Sequence, residues 1–236
     1  MDNQYEGKIF LFKRKNISME IIPVIDIMNG KAVHAIRGER NNYKPLKSIY
    51  SDISDPVEIA ENLPYKRIYV ADLDAIMGDN SNFKIIEEIS EYKRVILDSG
   101  IKHSNELNLY RDLSINPVIG TETLESMENL KENLQISEEV FMSIDIKDDR
   151  VISPFLDLTP LKCFELFYGK GIENFIFLEI SSVGTMSLPS FDYLDKINKK
   201  VKVLVGGGIT KKDIKKLKER NVFGVLMGTA LYNELV

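Results

Sequence analysis

The segment VILDSGIK at residues 95–102 recurs as VLVGGGIT at 203–210, and IGTETL at 119–124 recurs as MGTALY at 227–232, both at a shift of 108 residues. IYVADLDA (68–75) matches FIFLEISS (175–182) at a shift of 107, and IDIMNGKAV (25–33) matches IDIKDDRV (144–151) at 119. A period this long indicates a duplicated half-domain, not a stack of short repeats. Each repeated piece is a short apolar run that ends in Gly, Asp or Thr, and amphipathic stretches lie between them. The spacing predicts strands at Ile21–Asp26, Arg67–Asp72, Arg94–Asp98, Pro117–Gly120, Glu139–Asp145, Asn174–Glu179, Val201–Val205 and Val222–Met227. Helix starts are expected at Asp55-Pro56-x-Glu58, at Ser104, at Thr159-Pro160 and at Thr210 with Asp213 as its capping-box partner. Runs that are apolar throughout, without alternation, belong to strands covered on both faces and so to a parallel sheet. Four βα units occurring twice predict an α/β fold: a single (β/α)8 TIM barrel with an internal half-barrel duplication over residues 21–236.

Residues 1–20 form an N-terminal extension. Within it KIFLF (8–12) reads either as a short extra strand or as a segment covering one barrel mouth. The first half carries the longer loop after its first strand. That loop, Asn29 to Ser54, is polar and contains Arg37-Gly38-Glu39-Arg40. Loops of such length in a compact domain are functional lids or partly disordered. The chain of 236 residues suits one well-cored domain, and its net charge of −5 gives no general attraction to nucleic acid or to an anionic membrane. No apolar run reaches a membrane span and no signal pattern opens the chain, so a cytoplasmic protein is expected. The lone Cys163 lies on an apolar helix face and reads as an inert buried thiol. His34 and His103 lack metal-ligand spacing, and neither a metal nor another cofactor is expected.

Two places carry chemistry. The first is the pair of glycine clusters Gly206-Gly207-Gly208 and Gly228-Thr229, each ending a strand where a helix or turn begins. Either cluster alone is equally well read as a tight βα turn. Together, on adjacent strands at the C-terminal end, they bring several backbone N–H groups to one side, which is how a phosphate is held without a cationic side chain. Gly207, Gly208, Gly228 and Thr229 are therefore the expected phosphate site, and a small phosphorylated substrate the expected partner. The repeat gives this site a first-half counterpart at Ser99, Gly100, Gly120 and Thr121. There Asp98 replaces the first glycine and opposes an anion, with Lys102 as partial compensation. The second place is the pair Asp26 and Asp145, at equivalent ends of strands one and five. Each could simply cap the turn after its strand; as a facing pair they suit proton transfer, Asp26 as base and Asp145 as acid. Asp72 and Asp74 read as groups that fix the loop after strand two.

At these residues the chain resembles the barrel enzymes of histidine biosynthesis, ProFAR isomerase and the imidazole glycerol phosphate synthase cyclase. The resemblance runs from Ile21 to Tyr232 through IIPVIDIMNGKAV, YVADLDA, VIGTETL, SIDIKDDRV, GTM after strand six, VGGGIT and MGTALY. DLDA and the ALY after strand eight place it nearer the isomerase. The resemblance implies an Amadori rearrangement of a phosphoribosyl aminoaldose to an aminoketose, with acid–base work on Asp26 and Asp145 and a phosphate at each symmetric glycine site. The chain departs from that pattern at Asp98-Ser99, at Leu178 and Val183 where the family presents Thr and Asp, and at Val33-His34-Ala35 where it has Val-Arg-Leu. It also contains no tryptophan. A diverged paralogue acting on another phosphorylated sugar or phosphoribosyl compound is the leading expectation. The alternatives are a ProFAR isomerase of histidine biosynthesis and a non-catalytic phosphate-binding protein of the same fold.

Overall fold

The computed structural model describes residues 19–134, 140–197, 200–220 and 222–232. The KIFLF segment, most of the extension and Glu139 lie outside the described residues. Eight parallel strands close into a barrel: β1 (Glu20–Met28), β2 (Arg67–Asp72), β3 (Arg94–Asp98), β4 (Ile115–Gly120), β5 (Phe141–Lys147), β6 (Asn174–Glu179), β7 (Lys202–Gly206) and β8 (Gly224–Met227). The register Glu20↔Gly224 through Pro23↔Met227 joins β8 back to β1 and leaves no barrel edge. Helices or 3-10 turns follow the strands, as in a (β/α)8 barrel.

Side chains alternate across each strand, and this places the chemistry. One residue from each strand fills the barrel interior: Ile22, Tyr69, Ile96, Val118, Phe141, Ile176, Leu204 and Leu226. The residues alternating with them along each strand, such as Ile25, Val70, Leu97, Phe175 and Val205, point outward beneath the helices. That outer packing divides in two, one cluster built mainly from residues 25–115 and the other from 119–231. A period of two then carries Asp26, Asp98, Gly120, Asp145, Leu178, Gly206 and Gly228 to the inner face at the C-terminal ends of their strands.

The local signals work where expected, with one shift. Asp55 accepts from the amides of Val57 (2.9 Å) and Glu58 (3.0 Å) ahead of the helix Pro56–Asn62. Thr210 donates its amide (2.9 Å) and its hydroxyl (2.7 Å) to Asp213. Ser104 is instead the first residue of its helix; His103 takes the cap position, and Glu106 accepts its amide at 3.1 Å.

The long loop after β1 is folded. Lys31–His34 pairs antiparallel with the end of β1 (Asp26↔Val33), and Lys44–Pro45 pairs with Lys31–His34 in turn. The turn Asn29-Gly30 has φ of 52° and 72°, and its second-half equivalent Asp148-Asp149 has 51° and 61°, leading to the short strand Arg150–Val151 on β5. Positive φ at both central residues is the geometry of a two-residue hairpin turn, for which Asn-Gly is the favoured pair.

Candidate active site

The C-terminal mouth of the barrel opens into a cavity of about 380 Å³, within the range of small-molecule sites. Asp26, Asp98 and Asp145 all line it, as do Gly207, Gly208, Gly228 and Thr229. Ser99, Gly100, Gly120 and Thr121 do not.

The carboxylates differ in their surroundings. Asp145, 3% exposed, accepts from the Ser143 hydroxyl (2.7 Å) and the Glu122 amide (3.2 Å), with the Thr121 hydroxyl at 3.4 Å. Burial raises its pKa to about 6, against the pull of those donors. Asp26 is partly buried on the cavity wall and, among the described residues, no donor reaches its carboxyl. Desolvation alone raises it to about 7. Asp98 accepts from its own Gly100 amide (3.1 Å) and from the Tyr69 hydroxyl (3.1 Å). Its pKa is also raised to about 7, by burial first and then by the charge of Asp145. The two carboxylates meet across β4: a Cβ on Gly120 would stand 3.2 Å from Asp145 Oδ2 and 3.7 Å from Asp98 Oδ2.

A raised carboxyl pKa stabilises the fold only while the proton is on. The folded chain holds the Asp98 proton to about pH 7, whereas an unfolded one releases it near the ordinary 3.8. Between those values stability falls as pH rises. Asp98→Asn keeps an acceptor for Gly100 and removes the charge. Its Tm is expected to exceed that of the parent at pH 8, with the gap shrinking towards pH 5; thermal melts across that range check the sign.

The two glycine regions contrast. Gly207 and Gly208, just past β7, make no hydrogen bond with their amides among the described residues, and Gly208, Gly228 and Thr229 are partly open to the cavity. In the first half the Gly100 amide is taken by Asp98, the Thr121 amide donates to the Ser143 carbonyl at 2.9 Å, and Thr121 is fully buried against Asp145. Lys102 pairs with Glu125 at 2.9 Å and stands outside the cavity. Asp72 and Asp74 also lie outside it. Asp72 accepts from the Asn82 amide, the Ser81 hydroxyl and the Ala75 amide, and Asp74 holds the Asn29 amide at 2.7 Å.

Several cavity groups do not stand out in the sequence. His34 Nε2 lies 2.9 Å from the Thr229 hydroxyl, which brings an imidazole beside the second-half glycines. Burial pushes its pKa below the ordinary value, so the ring is neutral at physiological pH. The loop after β1 roofs the mouth: the Arg37 amide donates to the Val183 carbonyl (3.0 Å), Ala35 packs on Gly184, and Arg40 pairs with Glu122 at 2.8 Å. Arg37 and Lys147 also line the cavity, and neither has an ion-pair partner among the described residues. Asn29-Gly30 between two apolar runs is the signal that could have revealed the hairpin carrying His34. No group of three His, Cys, Asp or Glu among the described residues is arranged to hold a metal ion, and no helix there is long and apolar enough to cross a membrane.

The chain is 36% identical to an uncharacterized protein of Methanocaldococcus jannaschii over 225 residues, covering 91% of this chain and 93% of that one. It is 34% identical over 228 residues to a Thermoanaerobacter 1-(5-phosphoribosyl)-5-((5-phosphoribosylamino)methylideneamino) imidazole-4-carboxamide isomerase, covering 91% of this chain and 94% of the relative. The Bacillus cereus protein of the same name is 30% identical over 233 residues, covering 92% and 95%. A family model described as histidine biosynthesis protein matches residues 20–236, the whole barrel with its paired carboxylates and glycine turns, and the chain belongs to that family.

Proposed function

We propose that this protein is an acid–base isomerase of a phosphorylated sugar or phosphoribosyl compound, working by an aldose–ketose rearrangement of the Amadori type. The observation that carries the reading is one cavity lined both by Asp145, which accepts two hydrogen bonds, and Asp26, which accepts none among the described residues, and by the glycines Gly207, Gly208 and Gly228. The phosphate would rest on Gly207, Gly208, Gly228 and Thr229, where the backbone can approach an anion closely and no acidic side chain intervenes. Anchoring the phosphate fixes the sugar carbons in front of the carboxylates, which is most of what orientation contributes.

The hydrogen bonds support proton roles opposite to those expected from the sequence. Asp145 accepts from Ser143 and Glu122, an arrangement that favours its ionised form and suits a base that takes the proton from the carbon next to the aldose carbon. Asp26 lacks donors and is held up by burial alone, which suits an acid that gives its proton to the departing ring oxygen. Leu178 and Val183 line the same cavity, so the cavity itself offers apolar contact there.

The relatives named as isomerases favour a second reading, the same reaction on their doubly phosphoribosylated compound. Growth of an isomerase-deficient host on histidine-free medium separates the two. Failure to grow, with turnover of another phosphorylated aldose by the purified protein, supports the diverged reading. Full rescue supports the second, and absence of any isomerisation with folded protein removes both.

A further inference from the structure

The internal repeat aligns Asp98 with Gly206, Ser99 with Gly207, Gly100 with Gly208, Gly120 with Gly228 and Thr121 with Thr229. The same backbone motif therefore occurs twice around the mouth, and the two copies are wired differently. In the second copy the Gly207 and Gly208 amides have no hydrogen-bond acceptor among the described residues, and both glycines line the cavity. In the first, the side chain at the leading position folds back on its own turn: Asp98 Oδ1 accepts the Gly100 amide at 3.1 Å, while Oδ2 is held by Tyr69. The Ser99 hydroxyl is turned to Tyr110, at 3.3 Å, in the buried layer behind the turn, and the Thr121 amide and hydroxyl are engaged by Ser143 and Asp145. What the first copy shows to the cavity is the Asp98 carboxylate.

We infer that Asp98 is a specificity-determining residue that closes the first-half counterpart of the phosphate cradle, so that the site takes a ligand with one phosphate and rejects one with a second phosphate at its far end. The inference rests on the reading of Gly207, Gly208, Gly228 and Thr229 as the cradle. Two effects act together. Asp98 occupies an amide that a phosphate would need, and above about pH 7, where it is ionised, it sets a negative charge where the anion's charge would fall, so the titrations are made at pH 8. Discrimination of this kind works by repulsion built against the wrong ligand more than by attraction to the right one. Tyr69 keeps the carboxylate in place, because its hydroxyl is buried and has Asp98 as its acceptor.

Calorimetric titration of the full chain with ribose 5-phosphate and with the bis-phosphoribosyl compound named for the relatives tests this. The parent protein is expected to bind ribose 5-phosphate and to bind the doubly phosphorylated compound more weakly, by about threefold or more. Asp98→Gly is expected to tighten the doubly phosphorylated compound by about tenfold or more while leaving ribose 5-phosphate within about threefold of the parent value. Asp98→Asn keeps an acceptor for the Gly100 amide, turns a donor in place of an acceptor towards the Tyr69 hydroxyl, and removes the charge. It should gain at least about threefold for the same compound, and it serves if the glycine variant does not fold. A parent protein that binds the doubly phosphorylated compound as tightly as ribose 5-phosphate, or more tightly, overturns the inference and leaves the cradle standing. Folded Asp98 variants with no gain do the same. Loss of ribose 5-phosphate binding from parent and variants alike overturns the cradle and the inference with it.

Discussion

Asp145→Asn is expected to lower kcat by about 10²–10⁴-fold, the usual contribution of a positioned acid or base, while leaving the Kd for ribose 5-phosphate nearly unchanged. The asparagine oxygen can still accept the Glu122 amide while its Nδ2 donates to the Ser143 hydroxyl oxygen, so the geometry of the β5 end survives. What it cannot do is take a proton. The pH profile makes the result specific. With Asp145 titrating at about 6 and Asp26 at about 7, kcat/KM should rise as pH passes about 6, where the base ionises, and fall above about 7, where the acid loses its proton. In the asparagine variant the rising limb should vanish. Turnover within threefold of the parent, or an unaltered rising limb, would remove Asp145 from the chemistry.

Gly208→Ala and Gly228→Ala should part company although both add one methyl group to the same cradle. Gly208 sits at φ 61°, and a Cβ there would overlap the Ser187 carbonyl oxygen and stand 2.7 Å from that of Ser182. Both neighbours are backbone, so no side-chain rotation relieves the crowding. Left-handed backbone strain of about 1–3 kcal/mol, with the overlap added, translates to a Tm fall of about 5–10 °C for a chain of this size. Phosphate binding should be lost with it. At Gly228 the nearest atom to an added Cβ is Val24 Cβ at 3.9 Å, ordinary van der Waals contact. Gly228→Ala should therefore melt within about 2 °C of the parent yet weaken ribose 5-phosphate by about tenfold, or 1.4 kcal/mol, because the methyl stands between the anion and the amides. Thermal melts and titration of the two variants side by side check both statements. An unchanged affinity in Gly228→Ala would move the phosphate away from this wall.

Unpaired polar groups at a binding site and buried charge are both costly, and this chain concentrates both at one end of its barrel. Asp26, Asp98 and Asp145 occupy inward positions that Ile22, Ile96 and Phe141 fill lower in the same strands. A barrel selected for stability alone would not place three carboxyl groups there.

Much of this was legible in the residues. Apolar β-branched runs ending in Gly or Asp fixed the eight strands to within two or three residues, because a strand covered on both faces has no other composition available to it. The cap chemistry of Asp55 and Thr210 and the alignment of Asp26 with Asp145 follow from short-range rules. The hairpin after β1 stands where composition indicates only a long polar loop, although Asn29-Gly30, with positive φ at both residues between apolar runs, specifies a turn. Other features were beyond the reach of local rules. That His34 meets Thr229 across 195 positions, that Arg40 closes on Glu122 and that Asp98 turns back onto Gly100 depend on closure of the barrel and on which donors arrive at each carboxylate. The order of proton affinities between Asp26 and Asp145 depends on the same thing. Periodicity decides which face of a strand a side chain takes, since that is set by backbone geometry alone. Solvation and hydrogen-bond partners are set by residues brought from elsewhere in the chain, so only the tertiary structure decides which aspartate keeps its proton and which glycine amide is left for a ligand.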